Sequence, residues 1–143
     1  MWLRAMPEEI LDLLSDPDAI ARWSPVPFEL IDIDGSRLRT GTRARVRGTL
    51  AGWGLEFDVR IRRSDHRCFS LLATGPVAID ARYVLRPRGD GTNVGAAVSV
   101  SGHGFLNGVL ARATEALLSA GALRASLERL DGELESQTAL LCA

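Results

Sequence analysis

"PEEILDLLSDPDAIARWSPVP", residues 7–27, sets two short helical phrases end to end and closes on a tryptophan followed by two prolines. In the first phrase Pro7 stands at a helix start, Glu8 and Glu9 fill the first turn, and Ile10, Leu11, Leu13 and Leu14 supply the apolar residues. Asp16 before Pro17 stops that helix, and "DPDAIARW" starts a second one with acids near its N-terminus. Ser24-Pro25 and Val26-Pro27 then force extended backbone. Isolated helices shorter than ~12 residues are marginal in water, so both phrases must rest on a larger surface. Trp23 either plugs a core there or roofs a cavity.

From Phe28 the period changes to two. "FELIDIDG" runs into a turn at Gly35, and "TRARVRGTLAG" sets Ala44, Val46 and Leu50 against Arg43, Arg45 and Arg47. "LEFDVRIRR" puts Leu55, Phe57, Val59 and Ile61 opposite Glu56, Asp58, Arg60 and Arg62, so arginines of one strand can pair with acids of the next. "RCFSLLATG", "VAIDARYVLRPRGDG" and "TNVGAAVSVSG" continue as strands, broken at Gly75-Pro76 and Gly89-Asp90-Gly91. Val77, Ile79, Ala81, Tyr83 and Leu85 share one face; Asp80, Arg82 and Arg86 take the other. Short connections between alternating strands predict an antiparallel meander, preceded by a short strand near "WLRA".

After His103 and Gly104 a helical period returns over residues 105–136. Leu106, Leu110, Ala113, Leu117, Ala120, Leu127, Leu130 and Leu134 recur on one side. The predicted architecture is α+β: a curved antiparallel sheet gripping a long C-terminal helix, with two short helices after the first strand closing one end. The chain reads as one domain over residues 1–143, with a disordered tail from about 136.

Composition narrows the chemistry. All 17 basic residues are arginine, so no lysine is present to form a Schiff base or act as a general base. Cys68 and Cys142 are too few for a disulfide framework; Cys68 reads as a small buried hydrophobe. His66, in a turn, and His103 are too isolated to predict a metal site. No apolar run approaches the ~20 residues of a membrane span and no signal peptide is evident, which predicts a cytoplasmic protein.

The opening helix pair, the hairpin "YVLRPRGDGTNVGAAVSVSG" and the helix end "SLERLDGELES" together resemble the START-like, Bet v 1-like helix-grip superfamily, which includes polyketide cyclases, dehydratases and lipid-transport domains. The resemblance covers nearly the whole chain. It implies an apolar cavity between the sheet and the long helix, with a hydrophobic small molecule as partner: a lipid, a polyketide or another polycyclic compound. The residues it places at that cavity are Trp23, Trp53, Phe57, Val59, Phe69, Tyr83, Phe105, Leu106, Leu110, Ala113 and Leu117. No cofactor is implied.

Three functions compete at this level. The first is a binding or carrier domain, favoured by inward faces that hold almost no charge. The second is a cyclase or dehydratase with Tyr83 and His103 as the residues to test, although Tyr83 reads first as a core tyrosine and His103 first as a cap or surface residue. Trp53, between glycines at a hairpin tip, gates the cavity or packs on a neighbour. The third is an anionic partner met by the nine arginines between Arg37 and Arg67; nucleic acid is disfavoured by the neighbouring acids and the scarcity of aromatic residues there. A clipped first strand would leave a sheet edge open to homodimerisation.

Overall fold

The computed structural model of the chain describes residues 1–24, 28–50, 53–102, 104 and 123–142. Strand β1 (Trp2–Leu3) leads into helices α1 (Pro7–Leu14) and α2 (Pro17–Trp23). Strands β2 (Phe28–Ile33), β3 (Arg43–Leu50), β4 (Trp53–Ser64), β5 (Cys68–Thr74), β6 (Ala78–Arg88) and β7 (Gly91–Ser101) follow, and helix α3 (Leu123–Cys142) comes last. The strands form one curved antiparallel sheet in the order β1-β7-β6-β5-β4-β3-β2, so each strand after the first lies beside its sequence neighbour.

Register follows the alternation. Ala44 pairs with Val59 and Val46 with Phe57, keeping apolar residues on one face. Arg45 pairs with Asp58 and Arg47 with Glu56 on the other. Those pairs are ionic: Arg47 lies 2.9 Å from Glu56, and Arg45 bridges Glu56 at 3.6 Å and Asp58 at 3.8 Å. Each exposed pair contributes about 0–1 kcal/mol, so their larger effect is to neutralise this face. The register shifts between Ile61 and Arg63, where two successive arginines, Arg62 and Arg63, both stay exposed. Between β6 and β7 the turn is Gly89-Asp90, and Gly89 takes a φ of 64°.

The two short helices are held by a local N-cap and by caps from elsewhere in the chain. The Asp16 carboxylate accepts from the Asp18 backbone N–H at 3.0 Å and starts α2. At its other end, the Ser126 hydroxyl donates to the Trp23 carbonyl at 2.6 Å and the Arg129 guanidinium donates to the Ser24 carbonyl at 2.7 Å. Helix α3 thus satisfies carbonyls that a helix end leaves without intrahelical donors. For α1 the cap is Arg37, which donates to the Asp12 carbonyl at 2.6 Å and to the Ser15 hydroxyl at 2.9 Å.

Beneath the helices, Leu3, Ile10, Leu13, Leu14, Trp23, Phe69, Leu85 and Leu130 belong to one buried cluster. A second, smaller cluster of Phe57, Ala73, Val77 and Val100 lies elsewhere on the same sheet. Of the predicted long helix, the part from Leu123 is described, and Ser126, Leu127, Leu130 and Leu134 form its buried side. Helix α3 continues to Cys142, through residues expected to form a tail; "ESQTALLC" contains neither proline nor glycine to end it.

The first strand is as short as expected. It pairs with Thr92 and Asn93 of β7. The Met1 backbone extends the contact by one residue, its carbonyl accepting from the Val94 N–H at 2.8 Å. Cys68 is buried and is a free thiol, consistent with its reading as a small hydrophobe.

Candidate ligand cavity

The concave face of the sheet does not fill completely. A half-open cavity of about 130 Å³ lies over it, bounded by residues from α2 and from β2 through β7. Helix α2 supplies Pro17, Ile20 and Trp23; β3 supplies Ala44, Val46 and Gly48; β4 supplies Phe57, Val59 and Ile61. Leu71 and Ala73 of β5, Ile79, Ala81 and Tyr83 of β6, and Val98 of β7 complete the sheet side. Members of both buried clusters border it, Trp23, Ile61 and Tyr83 from the first and Phe57 and Ala73 from the second.

No described lining residue carries a charge. Two of its lining residues, Trp23 and Tyr83, meet edge to face with ring centroids 5.4 Å apart and an interplanar angle of 84°. Such a contact contributes about 0.5–1.5 kcal/mol beyond burial. The Tyr83 hydroxyl is 2.9 Å from the Ser126 hydroxyl. Ser126 has one hydroxyl proton and gives it to the Trp23 carbonyl, so Tyr83 must donate its own proton to Ser126. Tyr83 therefore keeps only acceptor capacity.

Burial pushes the Tyr83 phenol above its ordinary value, with the Ser126 hydrogen bond and the Arg129 charge opposing the shift. A raised folded-state value means the neutral phenol is the form that the fold stabilises. That stability is complete below the ordinary tyrosine value near 10 and is lost as pH climbs past it towards the folded value. Tyr83 is the chain's only tyrosine, so tyrosinate absorbance reports it alone. The expected titration midpoint lies above that of a free tyrosine and falls back to the ordinary value in urea. A midpoint unchanged by urea would contradict this environment.

The cavity's position differs in part from the sequence expectation. Trp23, Phe57, Val59 and Tyr83 line it. Phe69 does not: it is fully buried in the larger cluster, on β5 beside Tyr83. Trp53 opens β4 opposite Leu50, but its side chain lies outside the described residues, as do His103, Phe105, Leu106, Leu110, Ala113 and Leu117. Among the described residues the helical wall is α2, and α3 reaches the site through Ser126. Ile20 and Leu38, which the resemblance does not place at the cavity, also line it. Leu38, 4% exposed in the loop between β2 and β3, shows in the sequence only as a lone apolar residue among polar ones.

On the convex face, Arg62 is 2.9 Å from Asp80 and Arg63 is 2.6 Å from Asp65. The Arg63 hydrogen bond holds the Asp65 carboxyl below its usual range, aided by the backbone N–H groups of Arg67 and Cys68 and opposed by partial burial. Acids thus answer much of the arginine run. His66 is exposed in the β4–β5 turn. Among the described residues no group of histidine, cysteine or carboxylate side chains could hold a metal ion, and no helix is long and apolar enough to cross a membrane.

Comparison with known proteins sets this geometry in a family. A search of curated proteins gave no match. Among solved structures, the chain is similar to the Zhui aromatase/cyclase from Streptomyces sp. R1128, with a TM-score of 0.71 at 17% identity over 96% of this chain and 92% of that one. It is similar to TTHA0849 from Thermus thermophilus, with a TM-score of 0.68 at 17% identity over 96% and 94%. Ara h 8.0201 gives a TM-score of 0.60 at 11% identity over 95% and 94%. At these identities the likeness establishes the Bet v 1-like helix-grip fold. The family model described as "Polyketide cyclase / dehydrase and lipid transport" matches residues 3–135. The chain belongs to the polyketide cyclase/dehydrase and lipid-transport family.

Proposed function

We propose that the protein binds and carries a neutral, hydrophobic small molecule, with an apolar ring or chain seated between α2 and the sheet. The observation that carries this reading is the lining itself: an uncharged, almost wholly apolar hollow within the fold. Apolar cavities of roughly 150 Å³ stay dry and accept benzene-sized molecules. A cavity of about 130 Å³ suits one ring, or the leading part of a lipid, polyketide or polycyclic compound whose remainder extends through the open side.

Carriage is favoured over turnover because the Tyr83 proton is committed to Ser126 and burial weakens its acidity. A general acid works best with a pKa near the operating pH. The alternative, a cyclase or dehydratase using the same cavity, requires Tyr83 to release that proton to substrate. Native mass spectrometry of the purified protein, followed by solvent extraction, tests the carrier reading. The expected result is a stoichiometric apolar adduct, or its formation when an aromatic hydrocarbon is added. Failure to bind either endogenous or added apolar molecules contradicts it.

Homodimerisation, expected at the edge left open by the short first strand, has a second candidate surface at the opposite edge, where strand β2 exposes Leu30 and Ile31. Sedimentation as a monomer across the micromolar range would dispose of it.

A further inference from the structure

The convex face of the sheet carries a charge pattern that the apolar cavity does not use. Phe69 is sealed in the larger cluster, so its neighbours Cys68 and Ser70 on β5 face the outer side. Both are small, each only 7% exposed, and they floor a shallow hollow of about 580 Å³. Arginines stand around it. Ser70 pairs with Arg63 of β4 on one side and with Arg82 of β6 on the other. Arg86 lies further along β6, beyond Val84, which pairs with Cys68. The Leu85 N–H donates to the Arg67 carbonyl at 2.8 Å, which brings Arg67 beside that end of β6. All four arginines line the hollow with exposed side chains, and among the described residues no acid lines it.

Elsewhere on this face the strands set acids against arginines. Arg45 and Arg47 meet Glu56 and Asp58, and Arg62 meets Asp80. Around the hollow that pairing stops. Arg63 is held by Asp65, but Arg67, Arg82 and Arg86 form no ion pair among the described residues. Arg82 and Arg86 also lie outside the run between Arg37 and Arg67 that the sequence singles out. Beyond them, a second hollow over Asn93, Gly95 and Ala97 of β7 again has no acid in its described lining. Like charges gathered on one face repel, and together they hold a positive potential that an anion would answer.

We infer that the hollow over Cys68 and Ser70 is an anion site, and that its occupant presents a phosphate group, free or esterified, to Arg67, Arg82 and Arg86. The inference does not depend on what the apolar cavity binds. A carboxylate brings two oxygens and a single charge, which one guanidinium fork satisfies. A phosphate ester brings three acceptor oxygens and a charge of about −1.5 to −2 at neutral pH, so several guanidiniums can share it. No aromatic side chain lines either hollow, which leaves the phosphate rather than a stacked base or ring as the recognised group.

The first probe is inorganic diphosphate, titrated calorimetrically into the full chain at low ionic strength, where exposed charges are least screened. The second is a phosphatidylcholine vesicle containing phosphatidic acid, tested by co-sedimentation. Binding of diphosphate without the vesicle assigns the site to a soluble phosphate compound, and binding of the vesicle without diphosphate assigns it to a lipid headgroup; both outcomes support the site. Arg82→Gln and Arg86→Gln are each expected to weaken binding roughly tenfold or more, the range of a hydrogen bond to a charged group. Arg45→Gln is the control, since it removes the same charge from the same face at a position that Glu56 and Asp58 already answer. It is expected to leave binding nearly unchanged. Urea unfolding checks that all three variants remain folded. Equal weakening by the three variants would overturn the site in favour of a diffuse attraction, and failure of both probes to bind the wild-type chain would overturn it outright.

Discussion

Trp23→Ala is expected to remove about 3–5 kcal/mol of folding stability, the range for large aromatic truncations in a core. The indole closes α2, lies in the larger buried cluster and meets Tyr83 edge to face. Alanine retains the backbone carbonyl that Ser126 caps, so the loss reports packing rather than capping. Against a typical domain stability of about 5–15 kcal/mol, a change of this size would leave a marginal protein. Urea unfolding checks it: the midpoint should fall steeply with little change in slope. A loss below about 1 kcal/mol would mean that the ring is dispensable to the core and serves the cavity alone.

The second large effect is expected at Gly91, where strand β1 crosses closest to β7. A Cβ at this position would overlap the Leu3 carbonyl oxygen and the Trp2 ring. The half-exposed Trp2 ring can swing aside only by giving up its 3.1 Å hydrogen bond to the Arg88 carbonyl, and the Leu3 carbonyl belongs to backbone held in register against Thr92. Gly91→Ala should therefore displace β1. That would uncover Leu3, whose side chain is fully buried, and strain the 2.7 Å hydrogen bond from the Thr92 hydroxyl to the Ala5 carbonyl. Losing one fully buried leucine costs about 1.5–3 kcal/mol, and one hydrogen bond adds about 1 kcal/mol. Gly95→Ala on the same strand is the control, because a Cβ there meets nothing within 4 Å. Equal stability of the two variants would refute the close-approach explanation.

Much of this architecture is legible in the sequence because alternation and helical spacing are local signals. Val46, Phe57, Val59, Ala81 and Tyr83 sit on the concave face where a period of two puts them. The helix pair follows from Pro7, the acids after it and the Asp16-Pro17 break. Two other features are invisible to a local period. Phe69 and Leu71 lie two residues apart on the same side of β5, yet one is sealed in the core and the other borders the cavity. What separates them is packing across the sheet, which alternation does not encode. The proton chain from Tyr83 through Ser126 to Trp23 joins residues far apart in sequence, 43 positions in its first link and 103 in its second. Ser126 reads in sequence as one small residue of an amphipathic helix; only tertiary contact makes it the link between the helix pair and the sheet.

Hydrostatic pressure acts on a fold through its volume. The apolar hollow bordered by both buried clusters is space that folded packing leaves unfilled, and unfolding removes it, so compression favours the unfolded side. A domain with such a hollow is more compressible than its size alone implies. A well-fitting occupant stiffens it by taking up that space, coupling how tightly the cavity is filled to how well the whole domain withstands compression.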